Sequence, residues 1–269
     1  MTVKEADRQE QHSGVGGGRS KVPEATALFW IIKVLTTGMG ETASDFLAHR
    51  LGPVPAVGLT GLLLLAALVW QGRAQRYVPG IYWTAVTMVS VFGTVAADVL
   101  HVGLGVPYAV STVLFAALLA GVFFLWFRME GTLSIHSITS ARREGFYWAA
   151  VLGTFALGTA AGDWTARTLG LGWLGSALLF AALIAMPPLL RISFGLGEVL
   201  TFWWAYVLTR PLGASVADWM AVPRADSGLG WGMGAVTLGW AALIAVLVAV
   251  LALRGPRGGA IYQRYTDAP

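Results

Sequence analysis

Carboxylates set in apolar surroundings are the residues of this chain that most call for a chemical explanation. Glu41, Asp45, Asp98, Asp163 and Asp218 each fall inside a long apolar stretch. A charged side chain at the middle of a bilayer helix costs roughly 2.5–3.5 kcal/mol on insertion scales, so such groups are usually kept for an ion or a proton. Carboxylate oxygens suit hard cations, which makes the set a candidate ion or proton site with Mn²⁺ or Mg²⁺ as fitting ions. The structural alternative is that each Asp accepts hydrogen bonds or marks a wet helix end. Two cations, Lys33 and Arg210, lie in similar apolar stretches. They invite either an ion pair, such as Lys33 with Glu41 or Arg210 with a neighbouring Asp, or a gating or proton-relay role. His101 follows Asp98 by three residues and His49 follows Asp45 by four. Those spacings put each His on the helical face of its Asp, as a nitrogen ligand or as an interfacial histidine.

Four of these carboxylates belong to one pattern. An aromatic residue and Trp, nine residues, Gly, four residues and Asp recur at Phe29-Trp30…Gly40…Asp45, Tyr82-Trp83…Gly93…Asp98, Tyr147-Trp148…Gly158…Asp163 and Phe202-Trp203…Gly213…Asp218. Trp and Asp are 15 residues apart in every copy, about 22 Å along a helix axis. The Trp residues are expected at one membrane interface as aromatic anchors, and the Asp residues near the other. Each Gly opens a small-xxx-small pair: Gly40/Ser44, Gly93/Ala97, Gly158/Gly162 and Gly213/Ala217. Such pairs let helix backbones approach closely in lipid. Glu41 departs from the pattern, being replaced by Thr94, Thr159 and Ala214 in the other copies, and it is the deepest of the motif carboxylates. Lys33 replaces Val86, Val151 and Tyr206, and Arg210 replaces Thr37, Ser90 and Phe155. Breaks in internal symmetry are where a specific site would be built. Glu41→Gln is therefore expected to abolish transport while leaving the fold nearly intact.

The elements that carry these residues are helices of membrane-spanning length. A bilayer core needs about 20 apolar residues of helix. Eight stretches qualify: Ala25–Leu47, Val54–Trp70, Pro79–Leu100, Val106–Phe127, Gly145–Ala166, Leu171–Leu190, Leu196–Met220 and Leu229–Leu253. Pro187-Pro188 is expected to end the sixth early. The motif lies on the odd-numbered helices, and the even-numbered ones carry no charge, which suits a lipid-facing outer layer. Two helices per unit give all four units one orientation, as parallel repeats. The fold expected is all-α and polytopic, with eight transmembrane helices around an inner set of four motif helices. Its boundaries are a flexible tail over 1–24, a membrane domain over 25–254 with repeats near 25–72, 79–128, 144–191 and 196–254, and a second tail over 255–269. Thirteen Lys and Arg fall on the termini and on the loops after helices two, four and six, against three (Arg50, Arg167 and Arg224) on the other loops. That bias puts both termini in the cytoplasm. In the loop Ser134–Glu144, His136, Arg142, Arg143 and Glu144 are either an anion- or headgroup-binding set or an ordered basic connector.

Composition agrees and excludes much else. Hydrophobic residues make up 56% of 269 and charged residues 12%, against about 25% charged in soluble domains. Cys is absent, which removes disulfides, thiolate metal sites and cysteine nucleophiles. The net charge of +4 sets topology rather than nucleic-acid binding. No phosphate-binding loop, HExxH or supported serine nucleophile is present, so an enzyme is not expected. The expected partners are the lipid bilayer and a small cation or proton.

The fourfold pattern resembles a family of uncharacterised bacterial membrane proteins defined by four tandem two-helix repeats, each with a characteristic Trp. Val22-Pro23-Glu24, Gly40-Glu41-Thr42-Ala43 and Thr132-Leu133-Ser134-Ile135-His136-Ser137-Ile138 look like that family as well. The resemblance covers nearly everything after residue 20. It implies an inner-membrane location and carries over no activity. From the residues themselves, a small-cation transporter or channel, proton-coupled or for a divalent metal, is the first reading. A non-transporting sensor or assembly module is the second.

Overall fold

Helix signals at the ends of the apolar stretches account for where the elements begin and stop. The Thr26 and Ser140 side chains accept hydrogen bonds from the N–H groups of Phe29 and Arg143, the usual N-cap arrangement. Pro53 and Pro79 open their helices, where a missing N–H costs nothing. Gly131 closes one with φ 70°, a conformation that favours glycine. The computed structural model describes residues 20–254, and among these every regular element is helical. The eight long helices are α1 (Ala27–Leu51), α2 (Pro53–Arg73), α3 (Pro79–Asp98), α4 (Tyr108–Glu130), α5 (Ala141–Asp163), α6 (Gly172–Phe194), α7 (Glu198–Ala221) and α8 (Met233–Arg254). The shortest has 20 residues and the longest 25, about 30–38 Å of helix and enough to cross a hydrocarbon core.

Pro187 and Pro188 lie inside α6, which continues to Phe194. The expected early end is corrected. The two prolines remove N–H donors to the Leu183 and Ile184 carbonyls, but unwinding in lipid would free more backbone groups than it saves. A second correction concerns the N-terminal segment. Residues 1–19 and 255–269 lie outside the described residues, but the stretch from Ser20 is packed. Val22 is buried, Lys21 donates to the Gly72 carbonyl at 3.0 Å and pairs with Glu144 at 2.8 Å. An apolar residue next to a paired lysine docks this part of the expected tail.

The odd helices form a closed ring in chain order: α1 packs on α3, α3 on α5, α5 on α7 and α7 on α1. One contact rule holds at every joint. A Cβ added to Gly40 would strike Ser90, one on Gly93 would reach Phe155 Cβ at 3.0 Å, one on Gly158 would strike Arg210, and one on Gly213 would strike Thr37. Each motif Gly thus meets the residue three positions before the motif Gly of the next repeat, and the fourth meets the first. The second small residues, Ser44, Ala97, Gly162 and Ala217, are buried at the same joints. Each even helix leaves its own repeat and packs mainly on the odd helix of the next: α2 on α3, α4 on α5, α6 on α7 and α8 back on α1. There Thr237 donates to Thr42 at 2.8 Å. The outer helices expose large apolar side chains, such as Leu62, Val113, Leu178 and Leu238, which only lipid or another protein can cover favourably. Helices α2, α3, α4, α6 and α8 are each long and apolar enough to cross a membrane by themselves. Helices α1, α5 and α7 carry buried ionisable and hydroxyl groups instead. The protein is an all-α polytopic membrane protein of four parallel two-helix repeats.

Candidate functional site

The ring axis is filled in layers. At the Trp end, Phe29, Tyr82, Tyr147 and Phe202 are all buried. The Tyr82 and Tyr147 hydroxyls meet at 2.5 Å, and the Phe29 and Phe202 rings lie 6.2 Å apart. Trp83, Trp148 and Trp203 are buried too, and Trp203 Nε1 donates to the Leu133 carbonyl at 3.0 Å. Only Trp30 of the four keeps partial exposure. Three of the expected interface anchors therefore pack inside the protein, because the outer helices and the Leu133 segment cover them.

One turn further in, Lys33 is fully buried, with Nζ 4.1 Å from the Phe155 ring centre and 4.3 Å from that of Tyr206. Nζ has no hydrogen-bond partner among the described residues, and two aromatic faces are its neighbours. The Lys33–Glu41 pair considered from the sequence does not form. Glu41 belongs to Arg210 instead.

Arg210 is the hub of the ring. Its guanidinium, fully buried, pairs with Glu41 of α1 and donates to Thr94 Oγ1 of α3 at 2.5 Å and to Thr159 Oγ1 of α5 at 2.8 Å. A further contact reaches the Thr37 carbonyl at 3.4 Å. Glu41, Thr94 and Thr159 occupy the same motif position, the residue after the Gly. In the fourth copy that position is Ala214, small enough to leave the guanidinium room. The two threonines donate down their own helices, to the Ser90 and Phe155 carbonyls, and so present lone pairs to Arg210. Glu41 and Arg210, two of the three exceptions to the repeat, thus answer one another across the α7–α1 joint. The expected neutrality of Glu41→Gln toward folding is corrected by this pairing, since it would leave a buried guanidinium without its carboxylate.

Beyond Arg210 lie the carboxylates. One ligand atom each from Glu41, Asp45 and Asp218 lie within 4.8 Å of one another, and so do one each from Asp98, His101 and Asp163. The first set straddles the α7–α1 joint and the second the α3–α5 joint. Asp45 and Asp98 are half-buried while Glu41, Asp163, Asp218 and His101 are buried, so the cluster opens toward the Asp end. Asp163 accepts from Arg167 at 3.1 Å. Among the described residues, no hydrogen bond or ion pair reaches the carboxylates of Asp45, Asp98 or Asp218. Each of the five predicted carboxylates falls in one of these two sets, and His101 completes the second. His49 does not join them; it is exposed, and its Nδ1 lies 2.7 Å from the Asp45 carbonyl.

The His101 position depends on a feature that sequence reasoning missed. After Asp98 and after Asp163 the chain enters a π-helical turn, Val99–Gly103 and Trp164–Thr168, whereas α1 and α7 stay α-helical beyond Asp45 and Asp218. Such turns recur at functional sites. The expected loop Ser134–Glu144 is shorter than its sequence suggests, since Arg142, Arg143 and Glu144 lie in the first turn of α5, where Glu144 is buried against Lys21 and Gln71, and Arg142 and Arg143 both hold Glu130.

The comparisons agree with the repeat architecture. The repeat of unknown function DUF347 matches residues 28–77, 81–132, 146–193 and 201–255. The chain belongs to the DUF347 repeat family. Each DUF347 match contains most of one motif helix and most or all of the outer helix that follows it, so the ring is made by packing one DUF347 unit on the next. No curated protein and no solved structure matches the chain.

Proposed function

We propose that this DUF347 protein is a transporter of a small cation, proton-coupled or for a divalent metal such as Mn²⁺ or Mg²⁺, and not an enzyme. The observation that carries this reading is the convergence of five carboxylates from all four repeats into two sets with ligand atoms within 4.8 Å. Like charges at that spacing in a low-dielectric site repel unless a cation or protons neutralise them. We place the chain in a bacterial inner membrane with both termini cytoplasmic, on the bias of thirteen basic residues against three. The aspartates then face the outside. The central charge of Arg210 opposes free passage of cations along the axis. Transport therefore requires an exchange in which an arriving cation competes with Arg210 for Glu41, which favours a gated carrier over an open channel.

A non-transporting membrane module is the second reading. The bonds from Arg210 to α1, α3 and α5 favour it, since they fasten the whole ring. The two readings separate in proteoliposomes of the full chain. Mn²⁺, Mg²⁺ and proton entry would each be followed with a trapped indicator, with and without an imposed pH gradient. Transport predicts entry of at least one of these ions faster than into empty liposomes, reduced in Asp45→Asn and in Asp98→Asn. Rates equal to empty liposomes for all three would exclude it in favour of the module.

A further inference from the structure

The two ligand sets of the carboxylate cluster are not chemically alike. Glu41, Asp45 and Asp218 offer only oxygen, and Glu41 is already held by Arg210. Asp98, His101 and Asp163 offer two oxygens and an imidazole nitrogen. His101 is 7% exposed, and its two ring nitrogens differ in what they meet. Nε2 lies 2.6 Å from Ser111 Oγ. The Ser111 hydroxyl in turn lies 3.0 Å from the Tyr108 carbonyl and 3.3 Å from that of Pro107. A hydroxyl has one proton to give; we assign it to a carbonyl, which makes Ser111 the acceptor of His101 Nε2–H. That assignment gives the neutral tautomer with the lone pair on Nδ1. Nδ1 is itself buried and without a hydrogen-bond partner among the described residues. One ring nitrogen of His101 lies within 4.8 Å of a carboxylate oxygen of both Asp98 and Asp163, and a buried, unpartnered imidazole nitrogen whose opposite nitrogen is tied to an oxygen is what a metal-ligating histidine and its supporting bond require.

The structure therefore assigns, we propose, a second and more selective role within the cation cluster: Asp98, His101 and Asp163 form a nitrogen-and-oxygen site for a divalent first-row transition ion. Imidazole suits Zn²⁺, Cu²⁺, Fe²⁺ and Ni²⁺, while Mg²⁺ prefers an all-oxygen octahedron with several waters. The π-helical turn after Asp98 brings His101 round to the α3–α5 joint, and the turn after Asp163 places Arg167 on the Asp163 carboxylate. Arg167 is more than half exposed and can leave that carboxylate for solvent when an ion arrives. Ser111 acts as a positioning residue that orients the imidazole. This assignment rests on the reading of the cluster as a cation site, yet it is tested by binding alone.

The test uses the untagged full chain in lipid nanodiscs, with Zn²⁺ titrated calorimetrically and Cu²⁺ examined by electron paramagnetic resonance. Wild-type protein should bind Zn²⁺ with little competition from equimolar Mg²⁺. His101→Gln and Asp163→Asn should each weaken Zn²⁺ at least tenfold, about as expected for losing a metal ligand or more, and Ser111→Ala about tenfold. The Cu²⁺ spectrum should show nitrogen coupling from an imidazole that disappears in His101→Gln and survives in His49→Gln. Gel filtration and circular dichroism establish that each variant is folded, and a misfolded His101→Gln leaves Ser111→Ala and Asp163→Asn to decide. Unchanged Zn²⁺ affinity with retained nitrogen coupling in His101→Gln would overturn the assignment. So would Zn²⁺ binding that is lost only in Asp45→Asn or Asp218→Asn. Zn²⁺ held through His101 in a protein that moves no ion would uphold this site and sink the transport reading. Ion flux with no His101-dependent binding would do the reverse.

Discussion

The two halves of the ring, on either side of Arg210, spend their polar groups in opposite ways. Toward the Trp end, the axis is closed by aromatic rings, Lys33 is sandwiched between two of them, and the Tyr82 and Tyr147 hydroxyls pair with each other while that of Tyr206 has no hydrogen-bond partner among the described residues. Toward the Asp end, carboxylates are gathered close together, and three of them have no bonded partner among the described residues. The first half reads as a seal. The second half is a poor solution to packing, since any apolar or amide side chains would fit with less repulsion, and so it is the half that function must explain.

The contrast can be broken hardest at the hub. Gly158→Leu forces the side chain into Arg210 and Pro211. It should prevent isolation of folded protein, whereas Ala181→Leu, on an exposed position of α6, should express and melt like wild type. Equal melting temperatures for the two would refute the division into inner ring and outer layer. Next in size is Glu41→Gln, which strands a buried guanidinium. The usual cost of breaking a buried pair is about 3–5 kcal/mol, and with Asp45 and Asp218 nearby the lower end is expected. Glu41→Gln combined with Arg210→Met should recover part of the loss, and a double variant no better than the single would show that Arg210 is held mainly by the threonines. Smaller still is Lys33→Met. It removes a buried amine that has only aromatic neighbours and spares the burial of a polar group that has no hydrogen-bond partner among the described residues. Thermal stability should hold or rise slightly, and a clear fall would mean that the sealed half depends on this side chain.

Much of this architecture was legible in the chain. The fourfold motif gave eight helices and an inner set of four, because motif spacing and hydrophobic length are local properties. The joints were not legible, although both partners were. Gly40 and Ser90, or Gly213 and Thr37, are ordinary motif positions until the ring closes. The Glu41–Arg210 pair was half visible, as two unrelated exceptions to one repeat. What joins them is the position of α7 beside α1, a nonlocal fact that only closure supplies. His101 was noticed for its spacing from Asp98, but the π-helical turn that swings it toward Asp163 has no sequence signature, since it follows from packing. The prolines of α6 misled for the opposite reason: local propensity was overridden by the cost of unwinding in lipid.

The central claim is that the carboxylate half of the ring exists to hold a cation. The most direct measurement is the thermal midpoint of the purified protein with and without Mn²⁺, compared between wild type and Asp45→Asn/Asp98→Asn/Asp163→Asn/Asp218→Asn. A ligand at a hundred times its dissociation constant stabilises by about 2.7 kcal/mol. Wild type should therefore melt several degrees higher in Mn²⁺, and the fourfold variant should melt at one temperature with or without it. An equal Mn²⁺ shift in both proteins, or none in either across a range of divalent ions, would contradict the account.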